Sequence, residues 1–243
     1  MIEVRGVVKY YQSDRVLDDV SLRVEDGQQL ALIGPGGAGK TLLLKIITAL
    51  VEPDAGEVRV GDTDMNAIGE VELARVRNGM GMLFQNYALF DFMNVEENIA
   101  FPLRQRGEHT DAEIREKVDE LLAKVDLPGI NHKFPNELSG GMKKRVTFAR
   151  AVIHDPPILF YDDPTAGLDP VTSGKIFKLL RQRREEKGTT SIVITHDILG
   201  VREICDDFAF MNHGRLIFRG TQAEIEACED KFVQQFWRGE SDG

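Results

Sequence analysis

The sequence predicts an α/β fold, in which a mostly parallel β-sheet is covered by helices on both faces. Three short apolar runs predict its strands: "LALIG" at 30–34, "PILFYD" at 157–162 and "SIVIT" at 191–195. Continuous apolar runs are typical of strands that are buried on both faces of a sheet. A polar helix, predicted over about 170–187, separates the last two runs. A strand–helix–strand order of this kind predicts parallel strands.

The N-terminal part of the chain predicts a region of strands and turns before this core. The first 60 residues have mainly the pattern of strands and turns, with one turn at 53–56. The segment 40–50 is different, because its six leucine and isoleucine residues lie nearly all round a helix. That pattern predicts a helix buried between two layers. A further short strand is predicted at "GMLF", 81–84.

The middle of the chain has a helical pattern from 95 to about 153. We assign a helical subdomain insert to 86–153, within a single domain that spans 1–243. Near the C-terminus, an Asn-His-Gly sequence at 212–214 predicts a hairpin turn between two apolar strands. Two short helices are expected to close the chain.

Length, charge and cysteine content narrow the class of protein. A chain of 243 residues can bury a proper core, and its formal net charge of −10 argues against a nucleic-acid partner. Cys205 and Cys228 have no metal or redox spacing, so we expect reduced thiols. No apolar run reaches the length of a membrane span, and residues 1–5 do not resemble a signal peptide. We therefore expect a soluble cytoplasmic protein. If it works at a membrane, a partner would hold it there.

The segment "GPGGAGKT", 34–41, fits the phosphate-binding pattern G-x-x-x-x-G-K-[ST] between a strand and a helix. We call it the phosphate loop. Its glycines let the backbone approach phosphate closely, Lys40 would reach the β- and γ-phosphates, and Thr41 would place a hydroxyl on Mg²⁺. The predicted cofactor-binding residues are Gly34, Pro35, Gly36, Gly37, Ala38, Gly39, Lys40 and Thr41.

A second acidic motif follows a predicted strand at "ILFYDD", 158–163. Asp162 ends this strand and is predicted to hold Mg²⁺, through water. Asp163 follows it, where a base could orient an attacking water. An apolar strand that ends in acids is a weak signal alone, and the phosphate loop strengthens it.

The segment "LSGGMKKR", 138–145, predicts an anion site at the start of a helix. Ser139 is a good N-cap, and Gly140 and Gly141 leave backbone N–H groups uncovered at the positive end of the helix dipole. The basic run at 143–145 is interpreted as a solvated helix face that adds positive potential. The residues alone do not identify the anion.

These motifs together resemble the ATP-binding-cassette (ABC) ATPase family, and the resemblance covers almost the whole chain. It implies the α/β ABC ATPase (P-loop NTPase) fold, a mostly parallel sheet core with an antiparallel β part and a helical subdomain insert. It also implies ATP and Mg²⁺ as cofactors. It also implies a homodimer that sandwiches two ATP molecules head to tail. Ser139, Gly140 and Gly141 would then bind the γ-phosphate of the ATP held by the partner copy.

The family resemblance also implies roles for single residues. Gln85 corresponds to the glutamine that touches Mg²⁺ and links the ATPase to the transporter. His196 corresponds to the switch histidine near the γ-phosphate, and "AGLD" at 166–169 corresponds to the loop across the dimer contact. Tyr11 corresponds to the aromatic residue that stacks on adenine, with neighbouring Tyr10 as the alternative.

Asp163 departs from the family pattern, which usually has Glu at this position. Its carboxylate is one methylene shorter, and a misplacement of about 1 Å can cost about 100-fold in rate. Three interpretations stay open: the local geometry compensates, the ATPase is slow, or the residue was altered on purpose.

A finer resemblance concerns the MlaF/Mkl group, on the segments "NVEENIAFPLR" (94–104), "LSGGMKKRV" (138–146) and "YDDPTAGLDP" (161–170). It implies phospholipid trafficking between the inner and outer membranes, driven from the cytoplasmic face of the inner membrane. The implied partners are a transmembrane permease, an MCE-domain protein and a small accessory subunit. The alternatives are the ATPase of a small-solute importer, such as an amino-acid importer, an iron–sulfur assembly ATPase, and a pure regulatory binding module.

The C-terminal tail, 229–243, also resembles that group, in which it reaches toward the neighbouring ATPase. Trp237 would then be an anchor in the contact between the two copies. The alternative interpretation is a helix that packs on its own domain.

Overall fold

The computed structural model describes residues 1–239. The strands are β1 (Ile2–Tyr11), β2 (Asp14–Val24), β3 (Gln29–Ile33), β4 (Ala55–Val60), β5 (Thr63–Asp64), β6 (Met80–Leu83), β7 (Ile158–Asp162), β8 (Thr190–Ile194), β9 (Asp207–Asn212) and β10 (Arg215–Gly220). The helices are α1 (Lys40–Ile47), α2 (Glu70–Asn78), α3 (Val95–Arg106), α4 (Asp111–Lys124), α5 (Gly140–Val152), α6 (Pro170–Lys187), α7 (Ile198–Arg202), α8 (Gln222–Glu226) and α9 (Lys231–Arg238), with a 3₁₀ turn at Pro135–Glu137.

A six-stranded sheet forms the centre of the molecule, in the order β10-β9-β3-β8-β7-β6. All neighbouring strands from β9 to β6 are parallel, and only β10 pairs antiparallel, through the predicted hairpin with β9. The predicted α/β fold with a mostly parallel sheet is therefore confirmed. Strand β3, which leads into the phosphate loop, lies between β8 and β9 and is fully buried.

The central sheet separates two hydrophobic cores, because successive side chains of a strand point to opposite faces. Ala31 and Ile33 face a core that also contains the insert helices, α6 and α9. Leu30 and Leu32 face a second core, which contains α1 and the antiparallel sheet β2-β1-β4-β5. Burial on both faces explains why this strand is apolar at consecutive positions.

Three helices lie between β6 and β7, in the segment predicted as the helical insert. Two of them begin with a capping box, in which Asn94 pairs with Glu97 and Thr110 pairs with Glu113. Gly107 caps the C-terminus of helix α3, and its φ of 66° is the left-handed conformation that glycine adopts readily. The third helix, α5, follows Ser139 directly and packs against both α3 and α6.

The last helix, α9, packs on the chain's own domain. Trp237 is only 4% exposed, and its ring centroid lies 5.0 Å from that of Phe208 and 6.4 Å from that of Phe210. The guanidinium of Arg202 lies 3.8 Å from the centre of the indole ring. The side chain of Trp237 therefore packs on its own domain, as the alternative interpretation expects, and the contact of the tail with a neighbouring subunit stays a prediction. The end of the predicted tail contact, 240–243, lies outside the described residues.

Within residues 1–239, none of the helices has both the length and the apolar character that crossing a membrane requires.

Candidate functional site

The phosphate loop runs from the end of β3 into the first turn of α1, as its sequence predicts. Two of its glycines are required by packing. A Cβ at Gly34 would lie 2.1 Å from the carbonyl oxygen of Met211, and a Cβ at Gly39 would lie 2.6 Å from Cδ2 of Leu17. At Gly37, by contrast, a Cβ would meet nothing within 4 Å. The loop is therefore fixed to β9 and β2 on one side and faces open space on the other.

Lys40 begins α1 and is 6% exposed. Its Nζ donates hydrogen bonds to the carbonyl oxygens of Gly34 at 2.7 Å and Pro35 at 2.8 Å. Burial lowers the pKa of the Lys40 ammonium, and the charges of Asp163 and Asp162 act in the opposite direction. The loop thus carries a cation beside the space that its glycines leave open.

Thr41 and Asp162 meet at the edge of the sheet where β3 and β7 end. The hydroxyl of Thr41 donates a hydrogen bond of 3.1 Å to Oδ1 of Asp162. Burial raises the pKa of Asp162, and the hydrogen bond from Thr41 opposes this shift. A hydroxyl and a carboxylate are hard oxygen ligands, which Mg²⁺ prefers.

A protein-only metal cage is not present among residues 1–239, where no group of three or more His, Cys, Asp or Glu could hold a metal ion. Mg²⁺ at nucleotide sites usually has one or two protein ligands and takes the others from phosphate and water. The oxygen atoms of Thr41 and Asp162 therefore fit Mg²⁺ bound together with a nucleotide.

Asp163 and His196 approach each other from the loops that follow β7 and β8. Oδ2 of Asp163 lies 3.8 Å from Nε2 of His196, which is longer than a hydrogen bond. The backbone of Asp163 has φ = 51°, a left-handed conformation that is uncommon for a residue other than glycine. Its N–H donates to the carbonyl oxygen of Ile194 at 2.8 Å, which ties Asp163 to β8. Strained backbone of this kind is often found at functional sites.

Gln85 lies in the turn after β6, and its side chain is exposed. Its carbonyl oxygen accepts a hydrogen bond of 2.9 Å from Nζ of Lys144. The same ammonium donates to the carbonyl oxygen of Asp163 at 3.0 Å. The position of Gln85 is therefore connected to the loop after β7 through its backbone.

The basic run at 143–145 is not the solvated helix face that its composition indicates. Lys144 is 0% exposed, and Arg145 donates to the carbonyl oxygens of Val125 and Asp126. A signal for this burial was present in the sequence. Phe148 follows Lys144 at a spacing of four, which places both residues on one face of α5, and this face is buried. Three adjacent basic residues hid this periodicity.

The signature segment, 138–142, forms the start of α5. The hydroxyl of Ser139 accepts a hydrogen bond from the N–H of Met142, as an N-cap should. A Cβ at Gly141 would lie 2.7 Å from Cγ2 of Thr172, so this glycine is also required by packing inside the chain. Asp169 caps α6 and accepts a hydrogen bond from the hydroxyl of Thr172. The signature segment is thus connected to the 166–169 loop through Thr172 of α6.

Tyr10 and Tyr11 end β1 at the tip of a hairpin, and both side chains are exposed, at 44% and 52%. The return strand β2 packs against the phosphate loop, because Leu17 and the carbonyl oxygen of Val16 lie beside Gly39. The hairpin therefore stands next to the loop and presents two tyrosine rings to solvent. The guanidinium of Arg15 lies 5.9 Å from the ring centre of Tyr10.

The structure brings most of the predicted residues to one edge of the central sheet, where β3, β6, β7 and β8 have their carboxyl ends. This arrangement is typical of ligand sites in open α/β sheets. The residues at this edge are Gly34, Pro35, Gly36, Gly37, Ala38, Gly39, Lys40, Thr41, Gln85, Asp162, Asp163 and His196. Ser139, Gly140 and Gly141 belong to a different element, at the N-terminus of α5.

Fold and site together define a cassette ATPase, and comparison with known proteins agrees. Residues 17–166 match the model of the ABC transporter family, so the chain belongs to that family. The resemblance on which the motifs were interpreted is therefore confirmed.

The relatives include members of the MlaF/Mkl group and also a small-solute import ATPase, which is the alternative to that group. The chain is 38% identical over 244 residues to the intermembrane phospholipid transport system ATP-binding protein MlaF of Haemophilus influenzae, covering 100% of this chain and 92% of that protein. It is 37% identical over 238 residues to the probable ribonucleotide transport ATP-binding protein mkl of Mycobacterium tuberculosis, covering 98% of this chain and 66% of that protein. It is 40% identical over 229 residues to the methionine import ATP-binding protein MetN 1 of Bacillus cereus, covering 93% of this chain and 66% of that protein.

The chain thus spans about two thirds of the length of the mkl and MetN relatives. Among solved structures, the dimeric ATP-binding cassette MJ0796 in a post-hydrolysis state, bound to ADP and Pi, has a TM-score of 0.86. It is 33% identical in sequence, and the match covers 91% of this chain and 98% of that chain.

Proposed function

We propose that this chain is the ATP-hydrolysing subunit of an ABC transporter and that two copies bind two ATP molecules head to tail. The observation that carries the proposal is the hydrogen bond between Thr41 and Asp162. Lys40 and Asp163 are the residues next to this pair along the chain. The dimeric relative bound to ADP and Pi supports both the reaction and the pairing of two copies.

Each residue has a definite task in this proposal. Lys40 would neutralise the β- and γ-phosphates, and Thr41 and Asp162 would hold Mg²⁺, directly and through water. When bound, Mg²⁺ stabilises the charge that develops on the transferred phosphoryl group. Asp163 accepts a hydrogen bond from the attacking water and orients it. His196 contacts the γ-phosphate from the adjacent loop.

The remaining residues bind the rest of the nucleotide. Gln85 would reach the metal when its exposed side chain turns inward, and Tyr11 would stack on adenine from the tip of the β1–β2 hairpin. Ser139, Gly140 and Gly141 of the partner copy would complete the site with backbone N–H groups and the positive end of a helix dipole.

For the cargo, we propose phospholipid trafficking between the inner and outer membranes. The support is the MlaF relative, which matches this chain over 92% of its length. The partners would be a permease, an MCE-domain protein and a small accessory subunit, and the chain would sit on the cytoplasmic face of the inner membrane. The MetN relative, at 40% identity, favours methionine or amino-acid import as the second candidate.

We also propose a docking site for the permease in a cavity of about 430 Å³ between the insert and the core. Its apolar wall includes Phe84, next to Gln85, and Phe101 of α3, and Arg106 and Arg150 also line it. A permease segment with apolar and acidic side chains would complement this lining. A Phe101→Asp variant should lose the permease on copurification while its melting temperature stays close to wild type. Unchanged recovery of the permease would remove this docking site.

ATP hydrolysis is tested with Lys40→Ala, which removes the charge that faces the phosphates. Steady-state hydrolysis of ATP should be abolished in the assembled complex while the fold survives. Unchanged hydrolysis would show that the phosphate loop is not the reacting site. Ser139→Arg, which would block the partner's γ-phosphate, tests the shared site, and a structure in which each ATP contacts only its own chain would overturn it.

The cargo is tested by copurification of the complex from membranes. Recovery of a permease and an MCE-domain protein, with phospholipid in the complex, is the expected result. A soluble solute-binding protein in their place would favour small-solute import. Iron–sulfur scaffold proteins without a permease would contradict the transporter assignment itself.

A further inference from the structure

One face of α5 holds the backbone that follows β6. Lys144, Thr147 and Arg150 recur at a spacing of three, so they lie along one side of the helix. Their side chains donate to three carbonyl oxygens in the segment 85–88, which we call the Gln85 segment. The distances are 2.9 Å from Lys144 to Gln85, 3.1 Å from Thr147 to Tyr87 and 2.6 Å from Arg150 to Ala88.

The Gln85 segment needs these contacts, because it contains two consecutive strained residues. Tyr87 has φ = 59° and Ala88 has φ = 50°, a conformation that is unfavourable for residues with a Cβ. Strained residues persist only where the surrounding structure determines them. The segment is therefore held in place by α5 and is expected to follow α5 when the insert moves.

Lys144 differs from the other two side chains because it makes a second connection. Its ammonium also donates to the carbonyl oxygen of Asp163 at 3.0 Å. The N–H of Asp163 is already held by Ile194 of β8. Both sides of the strained Asp163 backbone are thus fixed, and one of them is fixed by the insert.

The burial of this lysine argues for a role in those contacts. A buried ammonium loses its hydration, whereas an apolar residue of similar length would fill the same volume without that loss. Lys144 is 0% exposed, and its Nζ lies 5.2 Å from the centre of the Tyr87 ring in addition to its two carbonyl partners. Burial lowers its pKa, and the charges of Asp163 and Asp162 act in the opposite direction.

We propose that Lys144 is a positioning residue that connects the Gln85 segment to the backbone of Asp163, so that the placement of the helical insert sets the placement of the water-orienting carboxylate. The proposal rests on the proposed function, in which Asp163 orients the attacking water. Movement of the insert would then reach the reacting site through one side chain, without any change in the phosphate loop.

The test compares Lys144→Met, Lys144→Gln and the control Lys124→Met in the assembled complex. Lys144→Met removes the donors at similar length and should lower kcat about tenfold or more, with the KM for ATP within about twofold of wild type. Lys144→Gln keeps two N–H donors for the two carbonyls and should recover most of the lost kcat. Lys124→Met, an exposed lysine of α4, should leave kcat within about twofold.

A second comparison asks whether Lys144 acts through Asp163. In an Asp163→Asn background, measured by single turnover, Lys144→Met should lower the rate by less than about twofold, because the group that it positions is already disabled. An equal fall in both backgrounds, or no fall in either, would overturn the proposal.

Two further outcomes keep the test decisive. If Lys144→Met lowers the melting temperature strongly, the two backgrounds are compared below its unfolding transition, where an equal fall in rate in both backgrounds still overturns the proposal. If Lys40→Ala retains hydrolysis in the same preparation, the proposed function fails. If Lys40→Ala abolishes hydrolysis and Lys144→Met has no effect, only the inference about Lys144 fails.

Discussion

Asp163→Glu should raise the rate of ATP hydrolysis. The carboxylate of Asp163 lies 3.8 Å from Nε2 of His196, about 0.8 Å beyond an N–H···O hydrogen bond of roughly 3.0 Å. One additional methylene extends the reach of the carboxylate by more than about 1 Å, a length comparable with this gap. If the alignment that is gained is worth over about 1.4 kcal/mol, turnover rises by about tenfold or more. ATP binding should change little, because Lys40, Thr41 and Asp162 are untouched.

The measurement is steady-state turnover of the wild type, Asp163→Glu and Asp163→Asn in the assembled complex, at saturating Mg-ATP. Asp163→Asn should hydrolyse more slowly than wild type and trap ATP in a long-lived closed dimer. No gain from Asp163→Glu would mean that the site is already adapted to the shorter acid. No loss from Asp163→Asn would refute the assignment of Asp163, and His196 would be the next residue to test.

Three further predictions concern stability. Gly200→Ala should lower the melting temperature by about 2 °C or more, because its Cβ would lie 2.0 Å from the Phe177 ring. Gly174→Ala is the matched control, because its Cβ would meet nothing within 4 Å, and it should raise the melting temperature by about 1–4 °C. Equal shifts for the two variants would refute the packing argument. Trp237→Ala should cost about 3–5 kcal/mol and lower the melting temperature by about 6 °C or more, whereas a residue that served only a dimer contact would leave the monomer unchanged. Burial lowers the pKa of His154 to about 4, below its value of about 6.5 in the unfolded chain. The free energy of unfolding should therefore fall as the pH drops from about 6.5 towards 4. Urea denaturation at pH 7 and pH 5 should show a smaller fall for His154→Gln than for the wild type.

The parts of the fold that the sequence predicted well are those with local signals. Helix α6 was expected at about 170–187 and spans Pro170–Lys187. Asp169 caps its start, proline occupies its first position, and Gly188 ends it with φ = 60°. Each of these signals acts within one turn of the helix, so no knowledge of the tertiary fold was required.

The phosphate loop was predictable for a similar reason, because its spacing fixes the backbone geometry wherever a strand leads into a helix. Lys144 was not, because its two acceptors lie 59 and 19 residues away along the chain. A lysine is mostly exposed in folded proteins, and only the arrangement of the Gln85 segment and Asp163 around α5 reverses that preference. The pattern likewise allowed two positions for Trp237, and the rings of Phe208 and Phe210 decided between them.

The close approach of Gly34 to Met211 has a consequence for how the protein is made. Strand β3, which ends just before Gly34, pairs with β8 and β9, and both strands come from the last quarter of the chain. A ribosome that adds about 5–20 residues per second reaches Met211 roughly 9–35 s after Gly34. During this interval the emerging chain carries a complete phosphate-loop sequence without the strands that hold it. We therefore expect nascent chains that stop before β9 to fail to retain ATP, which makes nucleotide capture a late event in synthesis.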